Sequence, residues 1–410
     1  MHILWVKTEL LHLIDKGGKI RTYNMLRALK AQHRVTYLTL DNGRAAPDAA
    51  ELALEYCHDL IRVPFTEAPR RSGRFWLELA ANAVSRLPYA VAKYRSDAMR
   101  REVERSARSD AVDVVVCDFL FPSQNIPDGL PCRTVLFQHN VEAAIWERHV
   151  SVQKNPLVRA YFADQWRRMR HFEAAECRRF DAVVAVSRAD AEAIEREYGL
   201  SGVADVPTGV DVEYFRPSGT VPRQPHEVVF TGSMDWMPNE DGIAWFVDDI
   251  LPRIHEAMPD VTMTVVGRNP PAAIRALADR DSRLRVTGTV PDVRPYIERA
   301  SAFVVPLRVG GGTRLKIYEA MGMECPIVST TIGAEGLPVE PGKHLLVADS
   351  AESFATSVIE LLQDPARART IGHTAADWVR ANYGWDRAAE TFAALLGVTA
   401  SEVARAGSAA

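Results

Sequence analysis

The 410-residue sequence has few of the features that mark membrane, metal-binding or secreted proteins. Its five cysteines include no Cys-x-x-Cys pair, which argues against a zinc finger or a redox pair. The eleven histidines show no metal-ligand spacing. No stretch approaches the roughly 18 consecutive apolar residues of a membrane-spanning helix, and no signal-peptide pattern precedes the first apolar run. We therefore expect a cytoplasmic protein without a metal site.

A strong net charge is also missing. The formal charge of −4 argues against a general nucleic-acid-binding protein. Basic residues are nevertheless concentrated in 62–108, which holds eleven Lys or Arg and five Asp or Glu. This stretch suits anionic lipid headgroups at the inner face of a membrane, or an acidic acceptor. A solvated helix surface is the alternative, so peripheral membrane contact through 62–108 stays open at this point.

Short apolar runs rich in β-branched residues alternate with helical patterns along the whole chain. Continuous apolar runs are typical of strands that are covered on both faces, as in parallel sheets. Strand–helix alternation predicts an α/β architecture. The predicted strands are 3–6, 35–40, 112–116, 134–137 and 182–186 in the first half, and 228–230, 261–266, 284–286, 302–305 and 327–329 in the second.

Turn-forming residues divide the chain near its middle. A turn-rich passage at 206–211 is followed by a stretch with three prolines at 217–225, which reads as a linker. The sequence therefore predicts two doubly wound domains, 1–215 and 225–375, and a helical tail at 376–400. Open α/β sheets bind ligands at the carboxyl ends of their strands, so two such domains are expected to face a cleft.

The sharpest motif lies after the predicted strand 302–305 and before a helix. Successive glycines there let backbone N–H groups approach an anion, and the helix N-terminus adds partial positive charge. Two cations at the start of a helix are unfavourable unless an anion such as a diphosphate offsets them. Glu319, one turn further, can accept hydrogen bonds from the vicinal hydroxyls of a ribose. The predicted diphosphate-binding residues are Gly310, Gly311, Gly312, Thr313, Arg314 and Lys316, and a plain surface loop is the alternative.

This motif resembles the donor-binding stretch of the family-4 glycosyltransferases, which have the two-domain GT-B fold. The resemblance covers nearly all of the second half and sparser points of the first. It implies two Rossmann-like domains and a C-terminal helix that crosses back to the first, acceptor-binding domain. Further segments that carry it are 207–211, 230–234, 265–268, 287–290, 326–330 and 333–337.

The resemblance also implies an activity. It is that of a retaining, metal-independent hexosyltransferase of the type found in bacterial polysaccharide or glycan assembly. The enzyme would use a UDP- or GDP-sugar as cosubstrate, with no cofactor. Its acceptor would be a glycan, a lipid-linked glycan or a small molecule.

Individual roles follow from the resemblance, residue by residue. His139, in a polar cluster after a predicted strand, resembles the active-site histidine of the family. Arg314 and Lys316 are also predicted to be catalytic residues. The second domain would bind the donor through Gly232, Ser233, Arg268, Val290 and Glu319 besides the glycine-rich segment. In the first domain, Gly17, Gly18 and Lys19 form a predicted phosphate or acceptor loop, and Glu142 is a second acceptor candidate.

The chain departs from the family pattern at two places. Gly311 stands where members usually carry a carboxylate that contacts the donor sugar, so the sugar is not predicted. The segment 233–239 lacks the Arg and Lys that many members use for the diphosphate, which shifts that charge to Arg314 and Lys316. Two other functions remain open. They are a non-hydrolysing sugar-nucleotide epimerase and a non-catalytic sugar-nucleotide-binding scaffold.

Overall fold

The computed structural model describes residues 1–14, 17–69, 72–109, 111–153, 155–309 and 314–397. These residues form two compact units. The first contains Met1–Pro207 and the helix that begins at Trp385, and the second contains Thr208–Gly384. Within the described ranges, no helix combines the length and the apolar composition that a bilayer-spanning segment needs.

The first unit is built on a parallel sheet with the strand order β3-β2-β1-β4-β5-β6-β7. The central strands β1 and β4 are buried along their whole length, which explains their continuous apolar runs. The strands are β1 His2–Lys7, β2 Arg34–Asp41, β3 Asp59–Pro64, β4 Val114–Asp118, β5 Arg133–Gln138, β6 Ala182–Ala185 and β7 Ala204–Asp205. The helices are α1 Gly17–Lys30, α2 Ala49–Leu52, α3 Gly73–Asn82, α4 Tyr89–Ala92, α5 Asp97–Ser109, α6 Glu142–Val152, α7 Pro156–Arg179 and α8 Arg188–Tyr198.

The second unit has its own parallel sheet, with the strand order β10-β9-β8-β11-β12-β13. A π-helical turn at Phe246–Ile250 joins its first two helices. The strands are β8 Glu227–Thr231, β9 Thr262–Val266, β10 Leu284–Val286, β11 Ala302–Val305, β12 Ile327–Ser329 and β13 Leu346–Val347. The helices are α9 Met237–Trp245, α10 Leu251–Ala257, α11 Ala272–Ala278, α12 Arg294–Arg299, α13 Leu315–Gly322, α14 Ala351–Gln363 and α15 Pro365–Asn382.

The last described helix, α16 (Trp385–Gly397), belongs to the first unit and packs against α1. The ring of Phe392 lies between those of Trp5 and Phe137, at centroid distances of 5.6 and 4.8 Å. These contacts confirm the predicted C-terminal helix that returns to the first domain. The predicted helical stretch 376–400 is nevertheless divided between two helices over 376–397, because α15 ends at Asn382 before Gly384, and 398–400 lie outside the described residues.

The proline-rich stretch at 217–225 packs on the second unit instead of forming a free linker. The N–H of Gly219 donates to Glu298 Oε1 at 2.8 Å, and the N–H of Gln224 donates to the carbonyl of Arg299 at 2.6 Å. The carbonyl of Phe215 lies so close to Gly322 that a Cβ there would be 2.5 Å away. The division therefore falls after Pro207, ahead of the predicted boundary at 215.

Candidate active site

Each sheet has one point at which the strand order reverses, and loops from both sides of it leave a crevice at the carboxyl edge. In the second unit this point lies between β8 and β11. Gly232 and Ser233 follow β8, and α13, which carries Lys316 and Glu319, follows β11. The structure therefore brings these four predicted site residues to the edge that binds ligands in such sheets.

Glycines allow the loops at this edge to pack closely. The N–H of Gly232 donates to the carbonyl of Val266 at 2.9 Å, and a Cβ on Gly267 would overlap the carbonyl oxygen of Gly232. A Cβ on Gly232 would lie 2.6 Å from Lys316 Nζ and 2.8 Å from Asn239 Nδ2. Glycine at 232 therefore leaves room for an ammonium and an amide beneath the turn.

Lys316 and Glu319 lie one helical turn apart on α13 and titrate near neutrality. Burial lowers the pKa of Lys316 to about 7; the positive charge of Arg314 acts in the same direction and Glu319 opposes it. Burial also raises the pKa of Glu319 to about 7, against the effect of Lys316. Lys316 Nζ lies 4.0 Å from the centroid of the Phe230 ring. A bound anion would favour the charged ammonium.

Arg314 precedes the first residue of α13 and is buried, with its guanidinium carbon 5.4 Å from the centroid of the Trp236 ring. In the sequence it directly follows 310–313, which contains most of the predicted diphosphate-binding residues. That segment, Gly310, Gly311, Gly312 and Thr313, lies outside the described residues. The role of its backbone amides stays a prediction.

Two other predicted donor residues meet beside the glycine turn. Arg268 Nε donates to Ser233 Oγ at 2.7 Å, and that hydroxyl donates to Asp235 Oδ1 at 2.6 Å. Val290, which follows β10, packs against an apolar cluster of the same unit and is only partly buried. Arg268 and Ser233, both predicted to bind the nucleotide-sugar donor, are thus in contact with each other. Val290 contributes a partly exposed apolar side chain.

In the first unit, the corresponding edge carries a buried carboxylate that the sequence analysis missed. Asp118, at the end of β4, accepts hydrogen bonds through Oδ2 from Lys7 Nζ and Thr22 Oγ1, both at 2.7 Å, and from Trp5 Nε1 at 3.0 Å. Burial favours the neutral acid, but Lys7 and then His139 hold the pKa of Asp118 well below its usual range. A single aspartate gives no pattern in the sequence, so no signal pointed to it.

His139 lies inside this cluster. Its Nε2 is 2.6 Å from Asp118 Oδ1, and its Nδ1 is 3.2 Å from Arg21 Nη1. Burial lowers the pKa of His139 to about 3, so we assign a neutral ring that accepts from Arg21 through Nδ1 and carries its proton on Nε2. The ring also stacks on Phe119 at a centroid distance of 3.8 Å. Neither ring nitrogen is open to a substrate unless Asp118 or Arg21 moves, and the catalytic role of His139 stays a prediction.

The predicted phosphate or acceptor loop lies at the start of α1, which begins at Gly17. A Cβ on Gly18 would lie 2.7 Å from the ring of Phe119, so this glycine packs against the His139 cluster. Lys19 lies 3.4 Å from a carboxylate oxygen of Glu9. The buried cation of this helix is Arg21, which the sequence analysis did not select. Its Nε has no hydrogen-bond partner among the described residues.

Glu142, the second acceptor candidate, is the buried first residue of α6. Burial and the neighbouring Glu173 raise its pKa to about 7, and Asn140 opposes this. Glu173 accepts hydrogen bonds from the backbone N–H groups of Glu142 at 2.9 Å and Ala143 at 2.8 Å, which caps the helix. The structure therefore places Glu142 in a buried carboxylate pair.

No group of three or more His, Cys, Asp or Glu side chains in the described ranges is arranged to hold a metal ion. The metal independence of the protein stays a prediction on these grounds.

Two glycosyltransferase families match this chain, one in each half. The family described as Glycosyltransferase Family 4 matches residues 16–214, and the family described as Glycosyl transferases group 1 matches residues 225–364. The chain belongs to glycosyltransferase family 4. Two parallel-sheet Rossmann-like domains are the GT-B architecture that the sequence predicted, so the fold class is confirmed.

Among curated relatives, this glycosyltransferase chain is similar to the lipopolysaccharide core biosynthesis mannosyltransferase LpcC of Rhizobium leguminosarum bv. viciae. They are 25% identical over 53% of this chain and 64% of that protein. It is also similar to the phosphatidyl-myo-inositol mannosyltransferase of Mycobacterium tuberculosis, with 27% identity over 40% of this chain and 46% of that protein. The chain thus spans less than two thirds of the length of these relatives.

Among solved structures, it is similar to Anabaena HepE in complex with UDP-glucose. The TM-score is 0.64 and the identity is 12%, over 97% of this chain and 99% of that chain. At this identity the likeness concerns the fold alone.

Proposed function

We propose that the protein transfers a sugar from a UDP- or GDP-sugar to a glycan, lipid-linked or small-molecule acceptor, with retention of anomeric configuration and without a metal ion. Family membership supports the reaction class. The mannosyltransferase names of the two relatives support a hexose donor and an acceptor in glycan or glycolipid assembly.

One observation carries the proposal. At the carboxyl edge of the second sheet, Lys316 sits beneath the Gly232 turn, and Glu319 follows it on the same helix. Ammonium groups bind phosphates, and a carboxylate accepts hydrogen bonds from the two hydroxyls of a ribose. The arrangement therefore suits a nucleoside diphosphate, which carries both phosphates and a ribose.

Each side chain has a defined part in the proposed reaction. Lys316, Arg314 and the amides of 310–313 neutralise the negative charge that develops on the leaving nucleoside diphosphate. Glu319 holds the ribose, and the base lies near Val290 and Arg268. In the first unit, which is proposed to bind the acceptor, His139 holds Phe119 and Arg21 in place through its stacking and its hydrogen bond.

The test is donor turnover. The protein is incubated with UDP-hexoses and GDP-hexoses, with and without acceptor glycans, in EDTA, and released nucleoside diphosphate is measured. Release that depends on the acceptor, and that Lys316→Ala abolishes, supports transfer, and the product's anomeric configuration by NMR tests retention. The absence of any release across the panel would refute the enzymatic function. Activity that returns only with added divalent metal would refute metal independence.

The same experiment separates the two alternatives. An epimerase would convert the sugar of the donor without an acceptor, and a scaffold would bind the nucleotide and release nothing. The relatives named above are transferases, which favours transfer over both.

We further propose that the first unit contacts an anionic membrane surface, as the basic stretch 62–108 suggested. Apolar side chains project into solvent there, with Trp76 56%, Leu77 73% and Val84 92% exposed. Arg168 of α7 donates to the carbonyl of Asn82 at 2.6 Å and so ties α7 to α3. Exposed apolar groups among arginines match the chemistry of an interfacial lipid site.

Vesicle flotation tests this contact. Binding to vesicles that contain phosphatidylglycerol, weak binding to phosphatidylcholine vesicles and a loss in high salt are expected. Trp76→Ala combined with Leu77→Ala should reduce binding. Leu54→Ala, at another exposed leucine of the same unit, is the control. Equal binding to both vesicle types would contradict an electrostatic contact.

A further inference from the structure

Asn239 is buried between the loop that follows β8 and the helix α13 of the second unit. It lies on α9, is 2% exposed, and uses both ends of its amide. Its Nδ2 donates to the carbonyl of Ser233 at 2.7 Å, and its Oδ1 accepts from Lys316 Nζ at 2.9 Å. A carbonyl can only accept and an ammonium can only donate, so these two partners determine the orientation of the amide.

The hydrogen-bond partner of Lys316 is a neutral amide, whereas two other cations of the protein pair with carboxylates. Lys7 pairs with Asp118 at 2.7 Å, and Arg308 of the second unit pairs with Asp241 at 2.6 Å. Among the described residues, no carboxylate forms such an ion pair with Lys316. Asn239 thus holds the ammonium in place and leaves its positive charge for an anion.

Holding the ammonium matters because lysine is flexible. Its four-carbon stem has a rotamer entropy of up to about 2 kcal/mol, part of which must be lost before the ammonium meets a ligand. Here the ammonium is already confined by Asn239 Oδ1, by the Phe230 ring at 4.0 Å and by the Gly232 turn. The segment 233–239 contains no Lys or Arg of its own, and the ammonium next to Gly232 comes from α13.

We infer that Asn239 is a positioning residue for the diphosphate of the donor. It fixes Lys316 beneath the glycine turn, so that this lysine supplies the charge that 233–239 lacks. This inference rests on the proposed function. It adds an uncharged residue that does not contact the diphosphate itself and acts on it by positioning Lys316.

The test compares ligands that differ in their number of phosphates. Affinities for UDP, UMP and uridine, and for GDP, GMP and guanosine, are measured by calorimetry on the full-length wild-type protein and on Asn239→Ala. The variant is expected to lose about tenfold in affinity for the diphosphate, as for one hydrogen bond to a charged group. Its affinity for the nucleoside should be unchanged. A merely structural role would weaken all three ligands together.

A double-mutant cycle shows whether Asn239 acts through Lys316. In the background of Lys316→Ala, the change Asn239→Ala should have no further effect on diphosphate affinity, because residues that act as one unit are not additive. Thr264→Ala, which removes another buried hydrogen bond of the second unit, is the control for general destabilisation. Its diphosphate affinity should equal that of the wild type.

The positioning role of Asn239 and the proposed function of the protein would be refuted by different results. Independent, additive losses from the two substitutions would overturn the inference about Asn239 and leave the proposed function standing. Wild-type affinity for the diphosphate in Asn239→Ala would do the same. If the wild-type protein bound neither UDP nor GDP, both the inference and the proposed function would be overturned.

Discussion

Nε2 of His139 lies 2.6 Å from Oδ1 of Asp118 in the interior of the first unit. The other oxygen of this carboxylate accepts from Lys7 at 2.7 Å. Together with Lys7, the pair joins the end of β1, the end of β4 and the loop after β5 at the carboxyl edge of the sheet, where open α/β sheets bind ligands. Its integrity determines the shape of that edge.

Asp118→Asn should therefore be strongly destabilising. It leaves the buried ammonium of Lys7 without an ion-pair partner, and breaking a buried pair in this way costs about 3–5 kcal/mol in the free energy of unfolding. Urea denaturation followed by tryptophan fluorescence measures the loss. Asp59→Asn, in an exposed pair with Arg34, is the control and should have little effect.

The effect of Asp118→Asn should also depend on pH. Because the pKa of Asp118 is lowered in the folded state, its contribution is present above the unfolded carboxyl pKa of about 3.9 and is lost as the pH falls below that value. The difference between wild type and variant should therefore shrink in acid. A constant difference from pH 7 to pH 3 would contradict the ion-pair explanation.

The adjacent glycines of α1 should respond differently to alanine. A Cβ at position 18 would lie 2.7 Å from the Phe119 ring, and that ring is held by stacking on His139 and by Lys7 Nζ 4.2 Å from its centroid. Gly18→Ala should cost about 1–3 kcal/mol, as for overpacking. Gly17→Ala meets nothing within 4 Å and should be neutral or slightly stabilising. Equal melting temperatures for the two variants would show that the ring can move aside.

Ionisation of Glu142 should change the stability of the protein with pH in the direction opposite to that of Asp118. Its pKa is raised to about 7 in the folded protein, above an unfolded value of about 4.3, so the folded state loses stability as the pH rises between these values. Glu142→Gln removes this loss. Its melting temperature relative to wild type should rise from pH 4 to pH 8, whereas Glu147→Gln, exposed on the same helix, should show no such trend. A flat profile for Glu142→Gln would mean that this carboxyl titrates normally.

Hydrophobic pattern predicted most of the fold, and the exceptions have physical reasons. The fully buried strands β1, β4, β8 and β11 contain continuous apolar runs in the sequence. The edge strand β3 was missed because it is half-exposed and mixes Asp and Arg with its apolar residues. The two-residue strands β7 and β13 are too short to produce a pattern.

The site residues were predictable where they form a short sequence motif. They were not predictable where their role depends on partners that are far away in the sequence. Lys316 and Glu319 follow a glycine-rich turn within a few residues. Asp118 gains its role from Lys7, which is 111 residues away. Glu173 lies in the arginine-rich helix α7, yet it is buried and caps α6. Asn239 carries no charge and gave no signal at all.

Lys316 and Glu319 should contribute differently to ligand affinity, because they meet different parts of the nucleotide. Glu319→Gln should weaken the binding of UDP or GDP, of the monophosphate and of the nucleoside by similar factors, since all three contain the ribose. Lys316→Ala should weaken the diphosphate by about 10- to 100-fold and leave the nucleoside unchanged. Calorimetric titration of the three ligands distinguishes these patterns. Lys343→Ala, which removes an exposed lysine of the same unit that pairs with Glu340, is the matched control and should bind as the wild type does. If Lys316→Ala lowered nucleoside affinity as much as diphosphate affinity, the lysine would be supporting α13 and not the phosphates.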